Sequence, residues 1–458
     1  MTTDKSVTGV PAGFEEALRY PFFAALFNRR SRRIGRGIRT VRAGSLTYVS
    51  DRDPQPLTPL EEAILIAATG TTGITMPDMP FQAEDGTPLL GSPMLAAAGR
   101  AASSPDNAQA THFFLLNDSG TYLLRPPPDA GPPDDSFTPE NLVARAQACK
   151  VRILDHRLDF PREYPCYLGR NRYVSNLPGS TVLVPVVDLT RQYINGLLFL
   201  LSQDDGHRPT PIDDWNFYRV AGVAKWVRSG FLNKDLKLPL GYLGTFRIQI
   251  EADLLVQNLL LAIQALGLGG WVHAGFPPPL LLGDPEYARY GPGLGFRFHQ
   301  PKPGLIRRML KPVTPLPAWR PNPVGLDGLL EGFCPPYHPS MSAALDALLA
   351  HKYGPDGVYG EKSAFQQVFR PGKGAAFLDE VPHHSPEVVE CVRDVCTYIY
   401  QTYGRFPAHV DAMYVPGVWV QAHHADVDYY ESLYQQGSNH TQARHDELWH
   451  GEAGPPRS

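Results

Sequence analysis

The chain has 458 residues, of which 46 are proline and 42 are glycine, whereas average usage is about 5% proline and about 7% glycine. Because 43% of the residues are hydrophobic and 10% aromatic, and neither proline nor glycine recurs periodically, the composition excludes a collagen-like or wholly disordered chain. The formal net charge of −4 gives the whole molecule no attraction for nucleic acid. The length suggests two or three domains and a large core.

The cysteines and the N-terminal residues bear on the cellular compartment. The five cysteines form no CxxC pair, which argues against a disulfide framework or a structural zinc site. The N-terminal residues lack the apolar core of a signal peptide, and no apolar run reaches the length of a membrane span. The sequence therefore predicts a soluble, cytoplasmic protein that does not contact a membrane.

The first third of the chain contains clear local signals. Residues 14–28 predict an amphipathic helix that breaks near Pro21. Thr58-Pro59-Leu60-Glu61 has the pattern of a helix start, with an N-cap threonine, a first-turn proline and a glutamate at the third position. His112–Asn117 and Thr121–Leu124 are apolar runs separated by a short polar turn, which predicts a β-hairpin.

The middle of the chain holds the strongest helix signal. Thr181–Val187 is apolar and β-branched and predicts a strand, and residues 213–230 predict a helix. In residues 251–268 apolar side chains cover almost the whole helix circumference, which indicates a buried helix. Gly267 is its expected stop.

The C-terminal part predicts elements of its own beyond a Pro-rich segment. Ser340–His351 is a short helix, and Ser385-Pro386 starts a helix that runs to about Tyr403. Val415–Ala422 predicts a strand and Asp426–Gln435 a helix capped by Asp426. This part is rich in tyrosine, which suits a domain core or a pocket lid.

Three segments carry polar chemistry, and each also has a plain structural interpretation. The cluster Arg29–Arg33 offers guanidinium groups suited to a phosphate, or forms a solvated basic face. The Asn and Gln amides of Ser103–Gln109 can pair with the edges of a heteroaromatic ring, or the segment is simply a turn. Gly267-Leu268-Gly269-Gly270 ends a helix, so it is not a dinucleotide-binding fingerprint, which would open one.

Taken in order, these segments resemble the nitroreductase-like FMN-dependent oxidoreductase family, which has an RRS-x-R segment, a "leu-x-pro-x-glu" helix, an A-P-S-x-x-N-x-Q-p turn and a late Q-N-L-x-L-A-x-x-x-L-G-L-G helix. The last of these is the most specific. The corresponding residues here are Arg29-Arg30-Ser31-Arg32-Arg33, Leu57-Thr58-Pro59-Leu60-Glu61-Glu62, Ser103-Ser104-Pro105-Asp106-Asn107-Ala108-Gln109, and Gln257-Asn258-Leu259-Leu260-Leu261-Ala262 with Leu266-Gly267-Leu268-Gly269.

The resemblance implies an α+β fold with a central mixed, mainly antiparallel sheet flanked by helices, and a homodimer with FMN in the dimer interface. It implies hydride transfer between a reduced donor, NAD(P)H, and a small organic acceptor, with no catalytic acid or base required from the protein. The residues that it assigns to FMN are Arg29, Arg30, Ser31 and Arg33 at the phosphate and ribityl chain, Ser104, Asn107 and Gln109 near the ring, Glu251 and Gly269 at late contacts, and Arg297 closing the phosphate site.

The same resemblance divides the chain, because it covers only the first 290 or so residues. We expect a flavin-binding domain at 1–300 with insertions near 71–100 and 126–210, a Pro-rich arm or linker at 301–339, an accessory α/β region at 340–436 and a mobile tail at 437–458. The insertions leave room for a flavin-free member that serves as a binding or assembly protein.

A third interpretation is a metal-dependent enzyme built on the C-terminal histidines. His423, His424, Asp426 and Asp428 combine imidazole and carboxylate ligands at close range. The structural interpretation is a strand end followed by a helix with Asp426 as its N-cap. His440, His445 and His450, spaced at five, match no closed metal pattern. The sequence therefore predicts no metal site.

Overall fold

The computed structural model describes residues 10–38, 41, 43–82, 84–87, 91–126, 137–244, 248–301, 309 and 319–451. Residues 302–308 and 310–318 of the predicted Pro-rich arm at 301–339 lie outside the described residues, whereas its last part contains two strands. The strands in chain order are β1 Thr71–Ile74, β2 Ala98–Arg100, β3 Thr111–Asn117, β4 Gly120–Leu124, β5 Lys150–Leu154, β6 Thr181–Asp188, β7 Pro209–Asp213, β8 Arg219–Val220, β9 Asn233–Pro239, β10 Gly269–His273, β11 Arg297–His299, β12 Asn322–Leu326, β13 Leu330–Glu331, β14 Met413–Tyr414 and β15 Trp419–His423.

The central sheet has the strand order β10-β15-β6-β3-β4-β5, with β14 also paired to β6. Every pairing between these strands is antiparallel. The predicted hairpin is confirmed, since β3 and β4 pair from Phe113–Leu124 to Asn117–Gly120. Among the described strands, the one parallel pair is β7 with β9, which belongs to a separate three-stranded sheet.

Alternation along the strands explains why the sheet lies in the middle of the molecule. Phe113 and Leu115 of β3 pack into one hydrophobic cluster, whereas Phe114 and Leu116 pack into another. Successive side chains of a strand point to opposite faces, so apolar residues at every position require cover on both faces. The result is a buried sheet between helical layers, which agrees with the predicted α+β class and is compatible with a nitroreductase-like fold.

The helices fill these layers and a further helical part. They are α1 Ala12–Leu18, α2 Phe22–Asn28, α3 Pro59–Ala67, α4 Pro139–Cys149, α5 Leu189–Leu201, α6 Ala224–Arg228, α7 Leu240–Gly244, α8 Gln249–Leu266, α9 Pro278–Leu282, α10 Met341–Tyr353, α11 Lys373–Glu380, α12 Pro386–Tyr403, α13 Val427–Leu433, α14 His440–Ala443 and α15 His445–His450. Helix α8 lies on the face of the sheet that α3 also covers, and α5, α10 and α12 share a separate core.

Local capping signals in the sequence are confirmed. Thr58 and Glu61 form a reciprocal capping box at the start of α3, and Ser385 caps α12. Helix α8 ends at Gly267, whose φ of 75° is the left-handed conformation that glycine adopts at low cost. These signals depend only on neighbouring residues, which is why the sequence reveals them.

The C-terminal part differs from its prediction as an accessory region. Strand β15 lies inside the central sheet, between β10 and β6. Its backbone completes the ladder that would otherwise have a gap, so the division at residue 340 does not separate this strand from the N-terminal part. In the described part of the expected mobile tail at 437–458, α14 and α15 are helical and bury His445 and Trp449, and residues 452–458 lie outside the described residues.

The structure also bears on the predicted helix at 213–230 and on membrane-spanning helices. The predicted helix at 213–230 is reduced to α6, because Phe217 and Tyr218 adopt positive φ values of 55° and 53° that interrupt a right-handed helix. In the described part of the chain, no helix is both long and apolar enough to cross a bilayer.

Candidate functional site

The predicted Asn/Gln turn borders a large cleft. The cleft has a volume of about 980 Å³ and is lined by Arg100, Ser104, Asn107 and residues of the predicted insertion near 71–100. That volume lies at the upper end of the range of small-molecule sites. The insertion contributes the pliable apolar side chains Met76, Met79, Phe81 and Met94 to its wall.

Glu251 anchors the turn to helix α8. Its carboxylate accepts hydrogen bonds from Arg100 Nη1 and from the Thr111 amide, both at 2.8 Å, and from the Ser104 hydroxyl. The Glu251 and Arg100 side chains are 0% and 5% exposed, so this is a buried, fully hydrogen-bonded ion pair. Burial lowers the pKa of Arg100, and Glu251 counteracts that effect. Glu251, predicted as a cofactor contact, thus holds the turn in place.

The two amides of the turn are engaged within the chain. Asn107 Nδ2 donates to the carbonyls of Ala96 and Ala98 at 2.6 and 2.9 Å, and Gln109 Nε2 donates to Ala98 as well. Asn107 and Gln109 have positive φ values of 43° and 45°. Such strain in non-glycine residues persists where the surroundings over-determine it, and it is frequent at functional sites.

The predicted arginine group lies at another place, where α2 ends. Arg30 and Ser31 are exposed, and the Arg33 guanidinium lies 5.3 Å from the Trp271 ring centre of β10. The Tyr430 hydroxyl accepts hydrogen bonds from the amides of Arg33 and Ile34 and so fixes the backbone of this segment. Among the described carboxylates, none forms an ion pair with Arg29, Arg30 or Arg33. A group of guanidinium ions without a described acidic partner is suited to an anion.

The remaining two predicted residues, Gly269 and Arg297, lie in different sheets of the fold. Gly269 begins β10 close to the arginine group, and a Cβ there would lie 2.8 Å from His423 Nε2, so the site has no room for a side chain. Arg297 lies on β11, outside the central sheet, 3.7 Å from Asp327 and over the ring of Tyr337. The structure does not bring Arg297 to the other predicted residues.

The nine other residues form two groups at opposite ends of α8. Ser104, Asn107, Gln109 and Glu251 lie at its N-terminal end, and the arginine group with Gly269 lies at its C-terminal end. The helix has 18 residues, which corresponds to a length of about 27 Å. One chain therefore does not join the two groups into one site.

The predicted C-terminal metal candidates also do not form one cluster. Asp426 accepts from the Tyr429 amide as the N-cap of α13 and from the Tyr48 hydroxyl, and Asp428 lies 3.4 Å from Arg52. Burial lowers the pKa of His423 to about 3. Of these four candidates, His424 is the one that lies in a group of potential metal ligands, together with Glu61, His445 and His450.

Sequence reasoning missed Arg100, Glu61, His445 and His450 as site residues. Burial raises the pKa of Glu61, but the neighbouring imidazoles of His424 and His445 outweigh burial and hold that pKa well below its usual value. Burial lowers the pKa of His450. Glu61 was identified only as a cap, and no local pattern reveals that its carboxylate also faces three imidazoles.

Comparison with known proteins gives a limited likeness to a solved structure. No family model matches the chain, and no curated protein matches it. A solved structure described as a "putative nitroreductase" from Ralstonia eutropha aligns with a TM-score of 0.24 and 14% identity, over 60% of this chain and 74% of that chain. This TM-score is too low to support an inference about the site, so the motifs and the geometry of this chain have to support any functional assignment.

Proposed function

We propose that the protein is an FMN-dependent oxidoreductase whose flavin sites are completed by two copies of the chain. The observation that supports this most is the outer face of α8. Although apolar residues surround this helix, Ile250 and Leu254 are 50% and 39% exposed, and Leu261 is half-buried. The sequence predicted a buried helix; a single chain buries only part of it.

The exposed apolar surface extends from α8 onto α2. Phe22, Phe23 and Phe27 are each more than 60% exposed, and α2 packs beside α8. Contiguous exposed apolar surface on a folded protein marks an interaction site. Most homo-oligomers have two-fold symmetry, so the same surface on a second copy is its simplest cover.

A two-fold axis across the middle of α8 would bring the two predicted groups together. Such an axis reverses the helix, so the N-terminal end in one copy faces the C-terminal end in the other. The cleft beside Ser104 of one copy then lies near Arg29–Arg33 of the second. A complete site would have unpaired guanidinium groups at one end and an apolar cleft at the other.

The chain offers suitable groups for each part of FMN. Arg29, Arg30 and Arg33 would hold the phosphate by charge-assisted hydrogen bonds. Arg100 and Ser104 border the space for the ring, and Asn107 and Gln109 act as positioning residues that tie the turn to β2. Bound FMN supplies hydride transfer. The cleft is large enough to admit NAD(P)H and a small organic acceptor in turn, and its methionines favour an apolar acceptor.

Flavin content and subunit complementation test this proposal. Purified protein should release FMN on denaturation, and Arg33→Glu and Asn107→Ala should each retain much less. After the two variants are dissociated, mixed equally and reassociated, half of the dimers are mixed and each has one undamaged site. Flavin content should recover to about a quarter of the wild-type value.

The controls separate this arrangement from its alternatives. Each variant carried alone through the same procedure should recover no flavin. In the otherwise wild-type chain, Leu254→Glu should shift the dimer toward monomer in light scattering. Flavin binding without recovery in the mixture would mean that one chain supplies both groups. A wild-type protein that neither retains nor rebinds FMN would favour the flavin-free binding or assembly protein.

A further inference from the structure

A buried cluster away from the proposed flavin site joins three distant parts of the chain. Glu61 lies in the first turn of α3, His424 follows β15 directly, and His445 and His450 lie at the two ends of α15. Glu61 Oε1 is 3.1 Å from His424 Nε2, 2.9 Å from His445 Nε2 and 3.8 Å from His450 Nε2. The four potential ligand atoms all lie within 4.8 Å of one another.

The four side chains are almost completely removed from water. Their exposed fractions are 0% for Glu61, 1% for His424, 5% for His445 and 10% for His450. A carboxylate buried to this extent requires compensation by charge or by hydrogen bonds. Its Oε2 accepts the Thr58 amide at 2.6 Å, which orients the carboxylate and leaves Oε1 facing the three imidazoles.

Three imidazole nitrogens in the cluster lack hydrogen-bond partners within the described part of the chain, namely Nδ1 of His424, Nε2 of His445 and Nε2 of His450. The last two are buried and lie near Glu61 Oε1. Buried polar atoms without a partner are rare in folded proteins, and each calls for an explanation such as an ion. Two such atoms beside one carboxylate indicate a shared missing partner.

The backbone orients one of the imidazoles for metal binding. His445 Nδ1 lies 2.8 Å from the carbonyl oxygen of Leu266, and a carbonyl can only accept. Nδ1 therefore carries a proton, and Nε2, which faces the cluster, is the nitrogen that would bind a metal in the neutral ring. Metal-bound histidines commonly donate their second ring N–H to a backbone carbonyl in this way.

The dimensions and the donor types agree with zinc. Tetrahedral Zn²⁺ with nitrogen and oxygen ligands at about 2.0–2.2 Å separates neighbouring ligand atoms by about 3.3 Å, and the three distances from Glu61 Oε1 lie on both sides of that value. Three imidazoles and one carboxylate suit zinc better than magnesium or calcium, which prefer oxygen ligands. A cleft of about 220 Å³ lined by His424 gives an approach from solvent.

We propose that Glu61, His424, His445 and His450 form a closed structural Zn²⁺ site that fastens α15 to the start of α3 and the end of β15. Four protein ligands fill a tetrahedral coordination sphere and leave no position for a substrate, which distinguishes a structural site from a catalytic one. The bound metal would stabilise the folded chain because the unfolded chain does not assemble the four ligands.

Metal binding to the wild-type protein is the first test, and it needs no variant. Tag-free protein is treated with a chelator, dialysed and titrated with Zn²⁺, and bound metal is counted by mass spectrometry. We expect about one Zn²⁺ per chain and a thermal midpoint that rises by several degrees when the metal is restored. Co²⁺ in its place should give the intense visible absorption of a tetrahedral ion.

Variants then assign the binding to these ligands. Glu61→Gln preserves the capping box, since glutamine serves at that position, yet removes the anionic ligand; His445→Ala removes an imidazole. Both should lose the stoichiometric metal and the Co²⁺ spectrum. His440→Ala, at the exposed first residue of α14, is the control and should keep both. The proposal is overturned if stripped wild-type protein binds neither ion stoichiometrically, or if Glu61→Gln and His445→Ala bind them as the wild type does.

Discussion

The two ends of helix α8 contrast in how their charges are satisfied. At the N-terminal end Glu251 and Arg100 form a buried pair that also holds Ser104 and Thr111. At the C-terminal end Arg29, Arg30 and Arg33 are accessible to solvent, and no described carboxylate pairs with them. The charges at the first end are paired within one chain. The guanidinium groups at the second end have no described acidic partner, which suits them to an anion. Charge pairing thus separates residues that maintain the fold from residues available for a ligand.

The largest expected effect is the loss of the buried pair at the first end. Glu251→Ala leaves the Arg100 guanidinium buried without its partner, and breaking such a pair costs about 3–5 kcal/mol of stability. Urea unfolding of the variant and the wild type measures the difference. Glu15→Ala is the control, because the Glu15–Arg19 pair is largely exposed and should contribute at most about 1 kcal/mol. Equal losses of stability in the two variants would mean that the buried pair contributes no more to the fold than the exposed pair.

The second expected effect concerns ligand binding at the arginine end. Arg33→Ala removes one charge-assisted contact, worth about 1.5–3 kcal/mol, so the Kd for FMN should rise by roughly ten-fold or more while urea unfolding stays unchanged. Arg33→Lys should restore only part of the affinity, because lysine lacks the planar fork of donors. Quenching of flavin fluorescence gives both Kd values. A drop in stability with unchanged affinity would place Arg33 among the residues that maintain the fold.

The smallest expected effect is at Arg297, which the sequence associated with the phosphate site. Its side chain is about half exposed and 3.7 Å from Asp327, so Arg297→Ala should change the free energy of unfolding by less than about 1 kcal/mol. Flavin content should equal that of the wild type. A clear loss of FMN in this variant would return Arg297 to the site and would require a different arrangement of the two copies.

What the sequence predicted well depends on local signals. The hairpin of β3 and β4 follows from two apolar runs around Asp118-Ser119-Gly120, and the start of α3 follows from Thr58 and Glu61. The glycine stop of α8 is equally local. In each of these elements, residues within a few positions determine the conformation.

What the sequence could not predict depends on distant partners. Nothing near Trp419–His423 indicates that this strand enters the sheet between β10 and β6. A spacing of five turns His450 about 140° from His445 on an ideal helix, so sequence spacing argued against a shared ligand. In the structure His445 and His450 lie at the two ends of the short helix α15, and both imidazoles face Glu61, which is far away in the sequence.

The position of β15 has a consequence for the order of biosynthesis. Strands β6 and β10 leave the ribosome long before residue 423, yet each depends on β15 for a neighbour. Until then both present open edges, which are prone to pair with other chains. We therefore expect a product that terminates before residue 419 to keep open the edges of β6 and β10 that β15 covers, and to aggregate more readily than the complete chain.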